Sequence, residues 1–139
     1  NWKRLKECIS RIKGRSTLFL DACHSGSIVN ETVVPNDEMA HQFFTGERAG
    51  IMVFTASKGR QSAMESPDIG GGFGVFTWAL TQGIGAKAGE ADVNGNQVIE
   101  FMELVNFVER TVSELTQGAQ TPWLSRKELF GDLPIATVE

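Results

Sequence analysis

Thr17-Leu-Phe-Leu20 is a short apolar run bounded by Gly14 and Asp21, and its length alone narrows the folds open to the chain. It is too short for a helix, so it reads as a buried strand of a parallel sheet. Gly50-Ile-Met-Val-Phe-Thr-Ala56 reads as a second strand of the same kind. Trp2, Leu5, Cys8, Ile9 and Ile12 recur at three- and four-residue steps, the period of an amphipathic helix ending at Gly14. Val75, Phe76, Ala79, Leu80 and Ile84 predict another helix, closed by Gly83 and Gly85. After a polar turn, Phe101, Leu104, Val105, Phe107, Val108, Val112 and Leu115 mark a long last helix that Gly118 ends. Thr121-Pro-Trp then leads into a final extended stretch over 124–130 and a frayed tail. The order strand, long loop, strand, helix, helix, strand is that of an α/β fold, and three strands make only part of a sheet.

Composition excludes several functions. With 139 residues, 41% of them hydrophobic and 22% charged, the chain has the profile of one small globular domain. Its longest apolar run falls far short of the roughly 20 residues of a membrane span, and Asn1-Trp-Lys-Arg opens no signal peptide. Thirteen Lys and Arg against 17 Asp and Glu leave a net charge of −4, so there is no cationic field to hold nucleic acid. The two cysteines, Cys8 and Cys23, form neither a disulfide scaffold nor a zinc motif, which points to a reducing, cytoplasmic setting.

The chemistry concentrates in Asp21-Ala-Cys-His-Ser-Gly26. It follows the first strand directly, and open α/β sheets place active sites at the carboxyl ends of their strands. A cysteine there has its side chain over the strand ends and its backbone N–H free to meet a carbonyl oxygen, while Gly26 lets the chain turn away. That arrangement suits a thiol nucleophile better than a small buried Cys packed like Ala. Ser25 lacks the G-x-S-x-G context of a hydrolase serine.

The strand followed by Asp21-Ala-Cys-His-Ser-Gly26 resembles the nucleophile motif of caspase-like cysteine peptidases, close to metacaspases and orthocaspases. The 55–65 segment, Gly74-Val-Phe-Thr77 and Gln120-Thr-Pro resemble the later half of that domain. The resemblance implies a three-layer α/β/α sandwich of which residues 1–139 form the later half. Its parts would be a nucleophile strand, an activation-type loop at 27–49, an S1-lining loop at 57–74, two helices and a final strand. It implies a Cys23 acyl-enzyme hydrolysed by water, with the Cys23 backbone N–H in the oxyanion hole. In caspases the partner histidine lies about 50 residues before the cysteine. Here only 22 residues precede Cys23, so the resemblance places the catalytic histidine in an upstream half of the same domain. His24 points away from its neighbour in a strand-end geometry, and His41 reads as a solvated loop residue. Without its histidine Cys23 is an ordinary thiol, and this chain alone is expected to be nearly inactive.

Charge indicates the substrate. Caspases bind an acidic P1 side chain with a Gln two residues before the nucleophile and an Arg in a later loop. Here Asp21 stands at the first position, and aligning Ala63, Met64 and Glu65 with the later tripeptide puts Glu65 at the second. A buried pocket of two acids complements Arg or Lys and repels Asp or Glu. The 61–65 segment would pair with the substrate backbone as an added strand. Arg48, Lys58 and Arg60 are candidate self-cleavage sites. The partners expected are therefore a protein or peptide substrate and the upstream half, with neither nucleic acid nor membrane.

Asp92-Val-Asn-Gly-Asn-Gln-Val-Ile-Glu-Phe-Met-Glu103 carries oxygen ligands at positions 1, 3, 5, 9 and 12 of an EF-hand loop, with apolar Ile99 at position 8. Asp92, Asn94, Asn96 and Glu103 are thus a weak calcium candidate. Gln97 stands where the turn wants Gly, no second loop is present, and a polar turn feeding a helix explains the same residues. The reaction requires no cofactor. A non-catalytic interaction domain of the same fold, responsive to calcium, is the competing reading.

Overall fold

The computed structural model describes residues 2–21, 51–58, 63–69, 72–125 and 133–138. Its elements are α1 (Trp2–Ser10), β1 (Ser16–Leu20), β2 (Ile51–Thr55), α2 (Val75–Ile84), α3 (Ala88–Ala91), β3 (Val98–Glu100), α4 (Phe101–Leu115), β4 (Trp123–Leu124) and β5 (Pro134–Thr137). The activation-type loop at 27–49 lies outside the described residues.

The two apolar runs are parallel neighbours, as their composition predicts. β1 and β2 pair from Ser16 opposite Ile51 to Leu20 opposite Thr55. The Ala56 N–H then donates to the Leu20 carbonyl at 2.8 Å, carrying the ladder one step past β2. Met52, Val53 and Phe54 are all fully buried, which accounts for the absence of alternation in the sequence. On the other side of β2 runs β4, antiparallel, with Phe54 opposite Leu124 and Thr55 opposite Trp123. Of the expected 124–130 stretch β4 takes in Leu124, and 126–130 lie outside the described residues.

α2 and α4 bury their apolar stripes together with Met52 and Phe54. Phe76 meets the Phe54 ring edge-on at 5.0 Å, and Phe101, Leu104, Val105, Phe107, Val108 and Val112 complete this core. Gly83 lies where the two helices come closest. A Cβ there would stand 2.8 Å from Leu104 Cδ1 and 2.8 Å from Phe107 Cδ1, so the glycine admits α4 rather than ending α2. At the other terminus α1 stops at Ser10, short of the predicted Gly14. Ile12 lies beyond the helix and is 51% exposed, while Ile9 is buried.

Three elements depart from the sequence expectation. The polar turn between the long helices contains α3, and the expected frayed tail is β5, paired antiparallel with β3 in a second sheet. Val98-Ile-Glu and Pro134-Ile-Ala-Thr are too short to show a period, and what fixes them is distant pairing. The Phe101 N–H donates to the Leu133 carbonyl at 2.8 Å, and the Val138 N–H to that of Gln97 at 3.0 Å. Ile99 is fully buried between the second sheet and the main core. Among the described residues no helix is long and apolar enough to cross a membrane.

Candidate active site

Asp21 follows the last residue of β1, so the strand delivers its carboxylate to the carboxyl edge of the sheet. There Oδ2 accepts a hydrogen bond from the Thr77 hydroxyl and another, 3.3 Å long, from the Thr77 backbone N–H. Thr77 is in the first turn of α2, where backbone N–H groups have no partner within the helix. The N-cap residue is Gly74, which has no side chain to cap with, and Asp21 supplies the missing acceptor from another element. A Cβ at Gly74 would fall 2.5 Å from Asp21 Oδ2, so the carboxylate occupies the space a side chain would need.

The same turn holds the second predicted group. Glu65 forms an antiparallel bridge with Gly74, and the Val75 N–H donates to the Met64 carbonyl at 2.9 Å. On its other side the Met64 N–H donates to Gln120 Oε1 at 2.7 Å, and Gln120 Nε2 donates to the Ala56 carbonyl at 2.8 Å. Gln120 is completely buried, and its own N–H donates to Thr116 Oγ1 at 3.1 Å. The segment of Ala63, Met64 and Glu65 is thus an extended piece fastened to α2 on one side and to a buried amide on the other. Ala63 is buried, whereas Met64, Glu65 and Asp21 are exposed in this chain.

Cys23 and His24 lie outside the described residues, as do Ser25, Gly26, His41, Arg48, Arg60 and Gln61. Lys58 is described and exposed. Gln120 was visible in the sequence only as part of Gln120-Thr-Pro. Its significance lies in contacts 56 and 64 residues away, for which no local pattern gives a signal.

β1 has β2 as its only strand neighbour among the described residues, and its Phe19 lines a groove of about 290 Å³ together with α2. Phe19, Phe76, Leu80, Ile84 and Ile135 line it, with Asp21 and Thr77 at its polar margin. Phe19 is 38% exposed although it touches both Phe54 and Phe101.

In the 92–103 loop the side chains serve the loop's own backbone. Asp92 Oδ1 accepts from the Gly95 and Asn96 N–H groups and Oδ2 from Gln97, at 2.9 to 3.2 Å. Asn94 Oδ1 accepts from the Asn96 N–H and Asn96 Oδ1 from that of Val98. Glu103 Oε1 accepts from Val93 and Asn94, and its Oε2 from Glu100, with which it forms the capping box of α4. Hydrogen bonding with the Glu103 carboxyl group, and then with the Asn96 amide, holds the Glu100 carboxyl below its ordinary range. Gln97 takes the left-handed φ of 66° at the position where an EF-hand loop uses Gly. Among the described residues no three His, Cys, Asp or Glu side chains are gathered as metal ligands.

A parallel β1–β2 pair with an antiparallel outer strand, two helices packed together beside it and an acid at the strand end form the frame on which the sequence comparisons bear. A comparison with curated proteins returns no match. The model of the caspase domain, peptidase family C14, matches residues 3–134, which is nearly the whole chain. By the extent of that match, and with an α/β fold in agreement, the chain belongs to the caspase-domain family of peptidases.

Proposed function

We propose that this chain is the nucleophile-bearing half of a cysteine endopeptidase that cuts after Arg or Lys. The Cys23 thiolate adds to the scissile carbonyl, and the oxyanion accepts a hydrogen bond from the Cys23 backbone N–H, worth about 3 kcal/mol in comparable acyl transfers. A histidine outside this chain takes the thiol proton and gives it to the leaving amine as the C–N bond breaks. Water then attacks the thioester with the same histidine as base, releasing the acid and regenerating the thiol. Asp21 accepts the charged end of the P1 side chain, Glu65 adds a second negative charge, and Ala63, Met64 and Glu65 line the substrate backbone. No organic cofactor takes part, and a reducing, cytoplasmic setting suits the free thiol.

The observation that carries this reading is the convergence on one helical turn. Asp21 bonds Thr77, Glu65 bridges Gly74 and Met64 accepts from Val75, so the P1 acceptor and the backbone wall share a mount in the first turn of α2. Among the described residues β1 pairs on one side alone, which supports completion of the sheet by the upstream segment that brings the histidine.

Fluorogenic peptides ending in Arg, Lys or Asp test the proposal on the full-length protein, beside this chain alone and a full-length Cys23→Ala variant. Cleavage after Arg and Lys, abolished in Cys23→Ala and absent from the isolated chain, is the expected outcome. Cleavage after Asp alone would refute the acidic pocket. No cleavage of any peptide, with or without calcium, would favour the interaction-domain reading.

A further inference from the structure

Asp21 is exposed and lies beyond the end of its strand, so neither packing nor ladder pairing fixes its side chain. An exposed aspartate ordinarily samples several rotamers, and holding one of them costs entropy when a ligand binds. Here Thr77 removes that freedom. Its hydroxyl and its backbone N–H both donate to Oδ2, and the bare α-carbon of Gly74 leaves the carboxylate room to take that position. Among the described residues Oδ1 receives no hydrogen bond, so the carboxylate is fixed through one oxygen and keeps its other acceptor. Thr suits this task because its β-branch restricts χ1, which keeps the hydroxyl aimed where Ser would rotate more freely.

We infer that Thr77 is a positioning residue for P1 recognition: it anchors Asp21 through Oδ2 so that Oδ1 is presented to a basic side chain. The inference rests on the proposal that Asp21 is the P1 acceptor. It differs from a purely structural cap, which would stabilise α2 without bearing on substrate binding.

Thr77→Val keeps the side-chain shape and the backbone N–H but deletes the hydroxyl, while Thr77→Ser keeps the hydroxyl. Both are compared with the parent in the full-length protein by steady-state kinetics on peptides ending in Arg and in Lys, with thermal melts alongside. The expected result is a KM raised about tenfold in Thr77→Val, with kcat within about twofold, and a KM within about threefold of the parent in Thr77→Ser. An unchanged KM in Thr77→Val would overturn the inference. So would equal losses in the two variants, or a fall in kcat that tracks the melting temperature while KM stays put, since each is the behaviour of a structural cap. A parent protein that cleaves after neither Arg nor Lys would instead sink the P1 reading itself, and that is seen before either variant is made.

Discussion

At Gln120 a single amide faces two ways, its oxygen toward Met64 and its nitrogen toward Ala56, with no access to solvent. Leucine of similar size would leave the Ala56 carbonyl and the Met64 N–H without partners, and each such loss costs about 1–3 kcal/mol. Gln120→Leu is therefore expected to lower stability by about 2–4 kcal/mol, read from urea denaturation midpoints. Single residues also mark what the sequence could reveal of the site. Asp21 was legible because its neighbours Cys23 and Gly26 form a motif whose spacing carries chemistry. Gln120 was not, because a glutamine between alanine and threonine looks like any solvated loop residue until the chain brings it to two backbones far away in sequence. Thr77 stood in the sequence only as the end of Gly74-Val-Phe-Thr77, with no role, as a polar residue on the wet side of a helix whose apolar period had already been assigned.

Among the elements, the α2–α4 contact is closed by a missing side chain. Gly83→Val would drive its side chain against Leu104 and the Phe107 ring, both of which lie 2.8 Å from where a Cβ would stand. Overpacking of this kind costs about 1–3 kcal/mol, and the variant is expected to lose that much in thermal or urea melts. The loop before α4 offers the opposite sign. Gln97 holds a left-handed backbone at φ 66°, a conformation that burdens L-residues with about 1–2 kcal/mol but not glycine. After the extra entropy glycine brings to the unfolded chain, Gln97→Gly should raise stability by about 0.5–1 kcal/mol in the same melts. Long periodic elements such as α2, α4 and the two apolar strands were legible within a residue or two. α3, β3 and β5 were not, because segments of three or four residues carry no period and owe their form to partners elsewhere.

For the molecule as a whole, the buried core draws its residues from β2, α2, α4 and the β3–β5 pair and, among the described residues, takes none from β1. Among the described residues β1 joins that body through its ladder with β2 and the Phe19 contacts. In the isolated chain its amides should exchange with deuterium faster than those of β2, and in the full-length protein the upstream segment should slow them. Equal protection of β1 in both proteins would argue against completion of the sheet at that edge.

Among the described residues β1 is attached to the sheet on one side alone, and this has a thermal consequence. A strand held by one neighbour can leave in a local opening whose free energy is well below that of global unfolding. Because Asp21 rides on the end of that strand, with Cys23 two residues further on, such an opening would dismantle the site while most of the helix stayed intact. In this chain heat would then release Asp21 from Thr77 at a temperature where circular dichroism still reports folded helices, and cooling would restore the contact.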